Sequence, residues 1–134
     1  MKRVLVFGVF DNLHEGHRSF LRQAKALGDF LVVAVAQDEA VQNIKKRAPR
    51  ATLSERIASV RAEHIADEVI SGDPAIGSWQ VVDAQKPDII ALGYDQADLR
   101  RALETAQRNR PWRIAFVTLV PYEPEKYKSS IVNG

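Results

Sequence analysis

The chain has 134 residues and is 46% apolar, the size and composition of one domain with a single ordinary core. It holds no cysteine, which excludes disulfides, thiolate metal sites and a cysteine nucleophile. The net charge of +2 is too sparse for a duplex-binding stripe, and no stretch forms a secretory leader or nears the roughly 20 apolar residues of a membrane helix. A soluble, cytoplasmic protein that contacts neither nucleic acid nor membrane is therefore expected.

Short apolar runs alternate with amphipathic segments, as in βαβ units. Residues 3–8 (RVLVFG) read as a buried first strand. Phe20, Leu21, Ala24 and Leu27 lie at helical spacing and predict a helix over 17–27, with Gly28 as its stop. Residues 30–36 form a second continuous apolar strand. Asp38 stands where it can cap a short helix ending in Lys45, Lys46 and Arg47, and this basic run with Arg50 suits either a small anion or a solvated turn. Thr52 and Glu55 make a capping-box pair ahead of a helix over 53–64. Strands are predicted at 68–71, 88–92 and 113–119, and helices at 79–85 and 97–108. From Pro121 the chain reads as irregular. The fold expected is α/β: a single Rossmann-like domain over residues 1–134, a five-stranded parallel sheet with helices on both faces.

The stretch richest in chemistry is G-V-F-D-N-L-H-E-G-H at 8–17, where the first strand gives way to the first helix. Open parallel sheets bind ligands beyond the carboxyl ends of their strands, and a helix N-terminus there offers amides and a positive dipole end to phosphate. His14 and His17, three apart, share one side of the helix's opening turn and can donate to phosphate oxygens as charge grows. Gly16 between them leaves room for phosphate against the backbone. The plainer reading makes each histidine a cap or a satisfied surface group. A zinc site lacks a third ligand at suitable spacing. His64, late in a helix, suits helix-end charge, packing or a ligand.

The same ten residues resemble the H-x-G-H signature of the nucleotidyltransferase superfamily, with glycerol-3-phosphate cytidylyltransferases and archaeal-type FAD synthases as the nearest likenesses. The resemblance continues through residues 24–35, 38–39, the basic run, 55–56, 66–70 and 93–96, about the first hundred residues. It implies catalysis by His14, His17 and Lys46, with Lys45 the near alternative because spacing in the basic run is shifted by about one residue. It places Gly8, Val9, Phe10, Asp11 and Gly16 beside the nucleotide, Gly93, Tyr94 and Asp95 at the base and ribose, and Ser129 and Ser130 at the triphosphate. Asp38, Arg56 and His64 are assigned to the phosphorylated acceptor, and Asp11 to a Mg²⁺ held chiefly by substrate phosphates. Val9 departs from the small hydroxyl residue usual there, and the tail lacks the arginine common before the serines.

The activity expected first is transfer of CMP from CTP to a polyol phosphate or phosphonate, with release of pyrophosphate. The alternative is ATP:FMN adenylyl transfer, suggested by L-G-Y-D-Q at 92–96. A third reading is a catalytically inactive nucleotide-binding regulatory domain. Relatives are often dimers, so a homodimer is expected, with Trp79 and Trp112 available for packing between subunits or in the core.

Overall fold

The computed structural model describes residues 1–38, 49–74 and 77–121. The elements are β1 (Arg3–Gly8), α1 (Glu15–Ala26), β2 (Phe30–Val35), α2 (Leu53–Ala62), β3 (Glu68–Ser71), α3 (Gln80–Gln85), β4 (Ile89–Leu92), α4 (Ala97–Gln107) and β5 (Ala115–Thr118). Every strand pair is parallel, in the order β3-β2-β1-β4-β5. The expected α/β Rossmann-like architecture is the one observed.

Strand side chains alternate between two cores because successive residues face opposite sides of a sheet. Val4, Val6, Leu31, Val33 and Val35 pack against Leu21 and Ala24 of α1 and Val60 of α2. Leu5, Val32, Ala34, Ile90 and Leu92 pack against Val82 of α3 and Leu103 of α4. The central strands are thus apolar on both faces, which is why they read as continuous runs. Trp79 and Trp112 are half-buried against this second core, so their packing partner in the structure is the chain's own interior.

Boundaries shift where local bonding overrides periodicity. α1 begins at Glu15 rather than 17, because His14 caps it. α2 starts where its capping box predicts: Glu55 N donates to Thr52 Oγ1 at 3.2 Å and Thr52 N to Glu55 Oε1 at 2.9 Å. β5 is shorter than the seven-residue run 113–119, spanning four residues at the sheet edge. Its exit is pinned to α1 by a carboxamide pair, Gln23 Nε2 donating to Val120 O at 2.8 Å and Val120 N to Gln23 Oε1 at 3.0 Å. No helix among the described residues is long and apolar enough to cross a membrane.

The strand order reverses direction between β1 and β4, the neighbours from which the chain departs to opposite edges. Ligand crevices in such sheets open at this switch point, outside the strands' carboxyl ends. Pairing between β1 and β4 is confined to Val4 with Ile89 and Leu5 with Ile90, whereas β1 and β2 stay paired as far as Gly8 with Val35. Beyond Leu5 and Ile90 the two strands carry no further paired positions, and the loops that follow them flank the gap.

Candidate active site

The loop after β1 is tightly specified. Phe10 and Asn12 both have positive φ, 54° and 58°, a conformation that non-glycine residues hold only when their surroundings demand it. Burial supplies that demand for Phe10: its side chain is 3% exposed, part of the first core, and tilted against His17 and Phe20. A Cβ at Gly8 would lie 2.6 Å from the Phe10 ring, so Gly8 is small to admit that ring. Phe10 thus stands in the loop expected beside the nucleotide with its side chain in the core.

His14 is the N-cap of α1, in extended backbone. Its Nδ1 accepts from Gly16 N at 3.0 Å, and His17 Nδ1 accepts from His14 N at 3.2 Å. The two rings stack with centroids 4.1 Å apart and an interplanar angle of 29°. A neutral imidazole whose Nδ1 accepts an amide proton carries its own proton on Nε2. Both rings are thereby oriented as Nε2–H donors at the positive end of the α1 dipole. Burial, and secondarily the charge of Arg18, holds the His14 pKa below 6.5, which favours this neutral form. The cap therefore uses the Nδ1 nitrogen of the ring. A Cβ at Gly16 would meet His14 Cε1 at 2.8 Å, so the glycine makes room for the imidazole.

Asp11 faces the turn ahead of α2. Its carboxylate accepts from Arg50 N at 2.8 Å and Ala51 N at 3.1 Å, which braces the loop after β1 against that turn. Arg56 reciprocates from the other side. It is 1% exposed, and its guanidinium donates to Val9 O at 2.9 Å, Ala36 O at 2.8 Å, Ala51 O at 3.2 Å and Asp38 Oδ1 at 2.5 Å. Arg56 is thus an internal clamp between the loops after β1 and β2, too deeply buried for the expected contact with an acceptor, while Asp38 pairs with it from a half-exposed position. The signal was in the sequence, because Arg56 falls on the apolar stripe of Leu53, Ile57 and Val60. His64 is exposed, at φ 56°, in the turn leading to the amino end of β3. The structure does not bring it to the loops at the carboxyl ends, which corrects its acceptor assignment.

The loop after β4 forms the other wall. Gly93, Tyr94, Asp95 and Gln96 make one turn, with Gln96 N donating to Gly93 O at 3.1 Å. A hollow of about 230 Å³ opens beside it, lined by Gly93, Tyr94, Gln96, Ala97, Arg100 and Thr118. A larger groove of about 450 Å³ runs along the carboxyl-terminal half of α4, away from both loops. There Arg110 is spent on Asp83 at 3.5 Å and on the face of Trp112. The structure therefore brings His14, His17, Gly16 and Val9 to one strand end and Gly93, Tyr94 and Asp95 to the adjacent one. Lys45, Lys46, Ser129 and Ser130 lie outside the described residues, as does the short helix expected after Asp38.

Comparison with known proteins adds three findings. Residues 5–133 match the model of the family described as cytidylyltransferase-like. FAD synthase of Thermococcus sibiricus is 43% identical over 96% of this chain and 84% of its own length, and FAD synthase of Pyrococcus abyssi is 40% identical over 96% and 87%. Among solved structures, the lipopolysaccharide core biosynthesis protein of Thermoplasma volcanium superposes with a TM-score of 0.85 at 35% identity, covering 92% of this chain and 99% of that one. The expectation of a CTP-dependent enzyme acting on a polyol phosphate or phosphonate is overturned here, because the curated relatives bear the name of the alternative reading, FAD synthase.

Proposed function

This chain belongs to the cytidylyltransferase-like family of nucleotidyltransferases, and on that premise we propose that it is an FAD synthase, joining AMP from ATP to FMN. The observation that carries the choice of ATP and FMN is identity of about 40% to FAD synthases across nearly the whole chain. In the reaction an oxygen of the FMN phosphate attacks the α-phosphorus of ATP, the bond to the bridging oxygen breaks, and pyrophosphate leaves. The attacking oxygen is already anionic, so the site has no need of a strong base.

The work left to the protein is positioning and stabilisation of charge. We assign His14 and His17 to the phosphate oxygens, each donating through Nε2–H while Nδ1 stays on the backbone. Lys46, with Lys45 as alternate, supplies positive charge on sequence grounds, and Ser129 and Ser130 keep their assignment to the triphosphate. Gly93, Tyr94 and Asp95 face the base and ribose across the crevice. Mg²⁺ enters as part of the substrate: the described residues include no cluster of three or more side chains able to hold a metal, and the Asp11 oxygens are turned to amides. Such a donor set suits a cation carried by phosphate and water.

The test is FAD formation, followed by chromatography together with pyrophosphate release, with ATP, FMN and Mg²⁺. FAD appearing with pyrophosphate in equal amounts is the expected result. Absence of FAD under conditions where the protein binds ATP would refute the assignment of the acceptor.

A further inference from the structure

We propose that Gln96 is a positioning residue that sets the width of the crevice between β1 and β4, and through that width the affinity for the nucleotide. The proposal rests on the reading above that the nucleotide lies between the loops after these two strands.

Three bonds converge on Gln96. Its backbone N–H closes the turn onto Gly93 O at 3.1 Å, its Oε1 accepts from Gly93 N at 2.8 Å, and its Nε2 donates to Phe7 O at 3.0 Å. The first two lock residues 93–96 into a fixed turn. The third crosses to the other wall, since Phe7 is next to last in β1, one residue before the loop that opens with Val9. The partners also fix the orientation of the carboxamide: Gly93 N can only donate and Phe7 O can only accept.

This bond stands where the sheet has stopped holding the two strands together. Paired positions between β1 and β4 end at Leu5 and Ile90, two residues short of Phe7. One side chain therefore spans the parting of the strands. Gln96 also occupies the N-cap position of α4, yet makes no side-chain cap bond. Its carboxamide points back across the crevice instead of serving the helix. Few residues can replace it. Glutamate keeps the acceptor and loses the donor, asparagine is shorter by a methylene, and lysine offers no acceptor. Gly93 fits the same arrangement, because a Cβ there would meet Asp95 Oδ1 at 2.9 Å and lie 3.7 Å from Gln96 Oε1.

The experiment compares wild type, Gln96→Glu and Gln96→Ala in the full chain, measuring ATP affinity by titration calorimetry, KM and kcat for FAD formation, and the thermal midpoint. A half-buried amide or carbonyl left without its partner weakens the interaction it supports by about tenfold. We expect the Kd for ATP to rise about tenfold in both variants and more in Gln96→Glu, whose carboxylate faces the Phe7 carbonyl. At saturating ATP, kcat should stay within about threefold of wild type. Gln96→Glu keeps the bond to Gly93 and so serves as the deciding variant if Gln96→Ala folds poorly. A Kd within about twofold of wild type, or a lowered midpoint with unchanged Kd, overturns the proposal and leaves the FAD synthase reading intact. ATP binding that depends on Gln96 in a protein that makes no FAD would do the reverse.

Discussion

The histidine pair at the start of α1 and the arginine near the start of α2 look alike in sequence, as polar groups in the first turn of a helix, and they differ in what their bonds hold. His14 and His17 each commit Nδ1 to a backbone amide, which orients the ring and defines Nε2 as a donor. Arg56 commits its guanidinium to three carbonyls and a carboxylate while fully buried. The histidine bonds orient two rings at the head of a helix, and the arginine bonds tie separate loops into one frame. The strained loop of Phe10 and Asn12 lies between them and is braced from the Arg56 side through Val9 O and from its own side through Asp11.

Replacing Arg56 by leucine tests the scaffold half of this contrast. It strands buried carbonyls and should cost on the order of 3 kcal/mol in denaturant unfolding. An unchanged stability with a selectively raised acceptor KM would return Arg56 to the role of substrate ligand.

The second substitution separates the two nitrogens of His17. His17→Asn places a carbonyl oxygen near the Nδ1 position, keeping the bond from His14 N, and deletes the Nε2 donor. Turnover should fall by roughly 10² or more, the effect of losing one transition-state donor, with stability within about 1 kcal/mol of wild type. Stability loss with normal turnover would make the ring a cap alone.

Gly16→Ala sharpens the point further. Alanine improves helix propensity by about 1 kcal/mol, yet its Cβ must displace the His14 ring, so we expect near-neutral stability and turnover lower by about tenfold. Equal turnover would mean that the ring position carries no weight.

The smallest effect concerns pH. The folded-state pKa of His14 lies below 6.5, so in the window beneath 6.5 the unfolded chain binds a proton that the folded one resists. Stability from this group is complete above 6.5 and is lost as pH falls through the lowered value. The thermal midpoint of wild type should therefore drop between about pH 7 and about pH 5.5 by more than that of His14→Asn, and parallel curves would contradict the assignment.

Most of the frame was legible because it rests on periodicity. Continuous apolar runs marked β1 and β2, and Thr52 with Glu55 marked the start of α2. The strand-to-helix location of His14 and His17 was legible for the same reason. What stayed hidden were bonds between residues distant in sequence. Nothing in the spacing shows that Arg56 reaches Val9, 47 positions away, or that Gln96 reaches Phe7, 89 positions away. The motif puts Phe10 in the loop after β1, and only the fold shows that its ring turns inward. Motifs report which backbone approaches a ligand, and burial decides which side chains do.

Nitrogen NMR of the histidine rings, recorded without and with ATP and Mg²⁺, tests the central claim most directly. The account predicts that His14 and His17 both hold the proton on Nε2 with Nδ1 unprotonated near neutral pH, and that adding the nucleotide shifts both Nε2–H resonances. Rings protonated on Nδ1, or Nε2–H resonances that ignore saturating ATP, would contradict it.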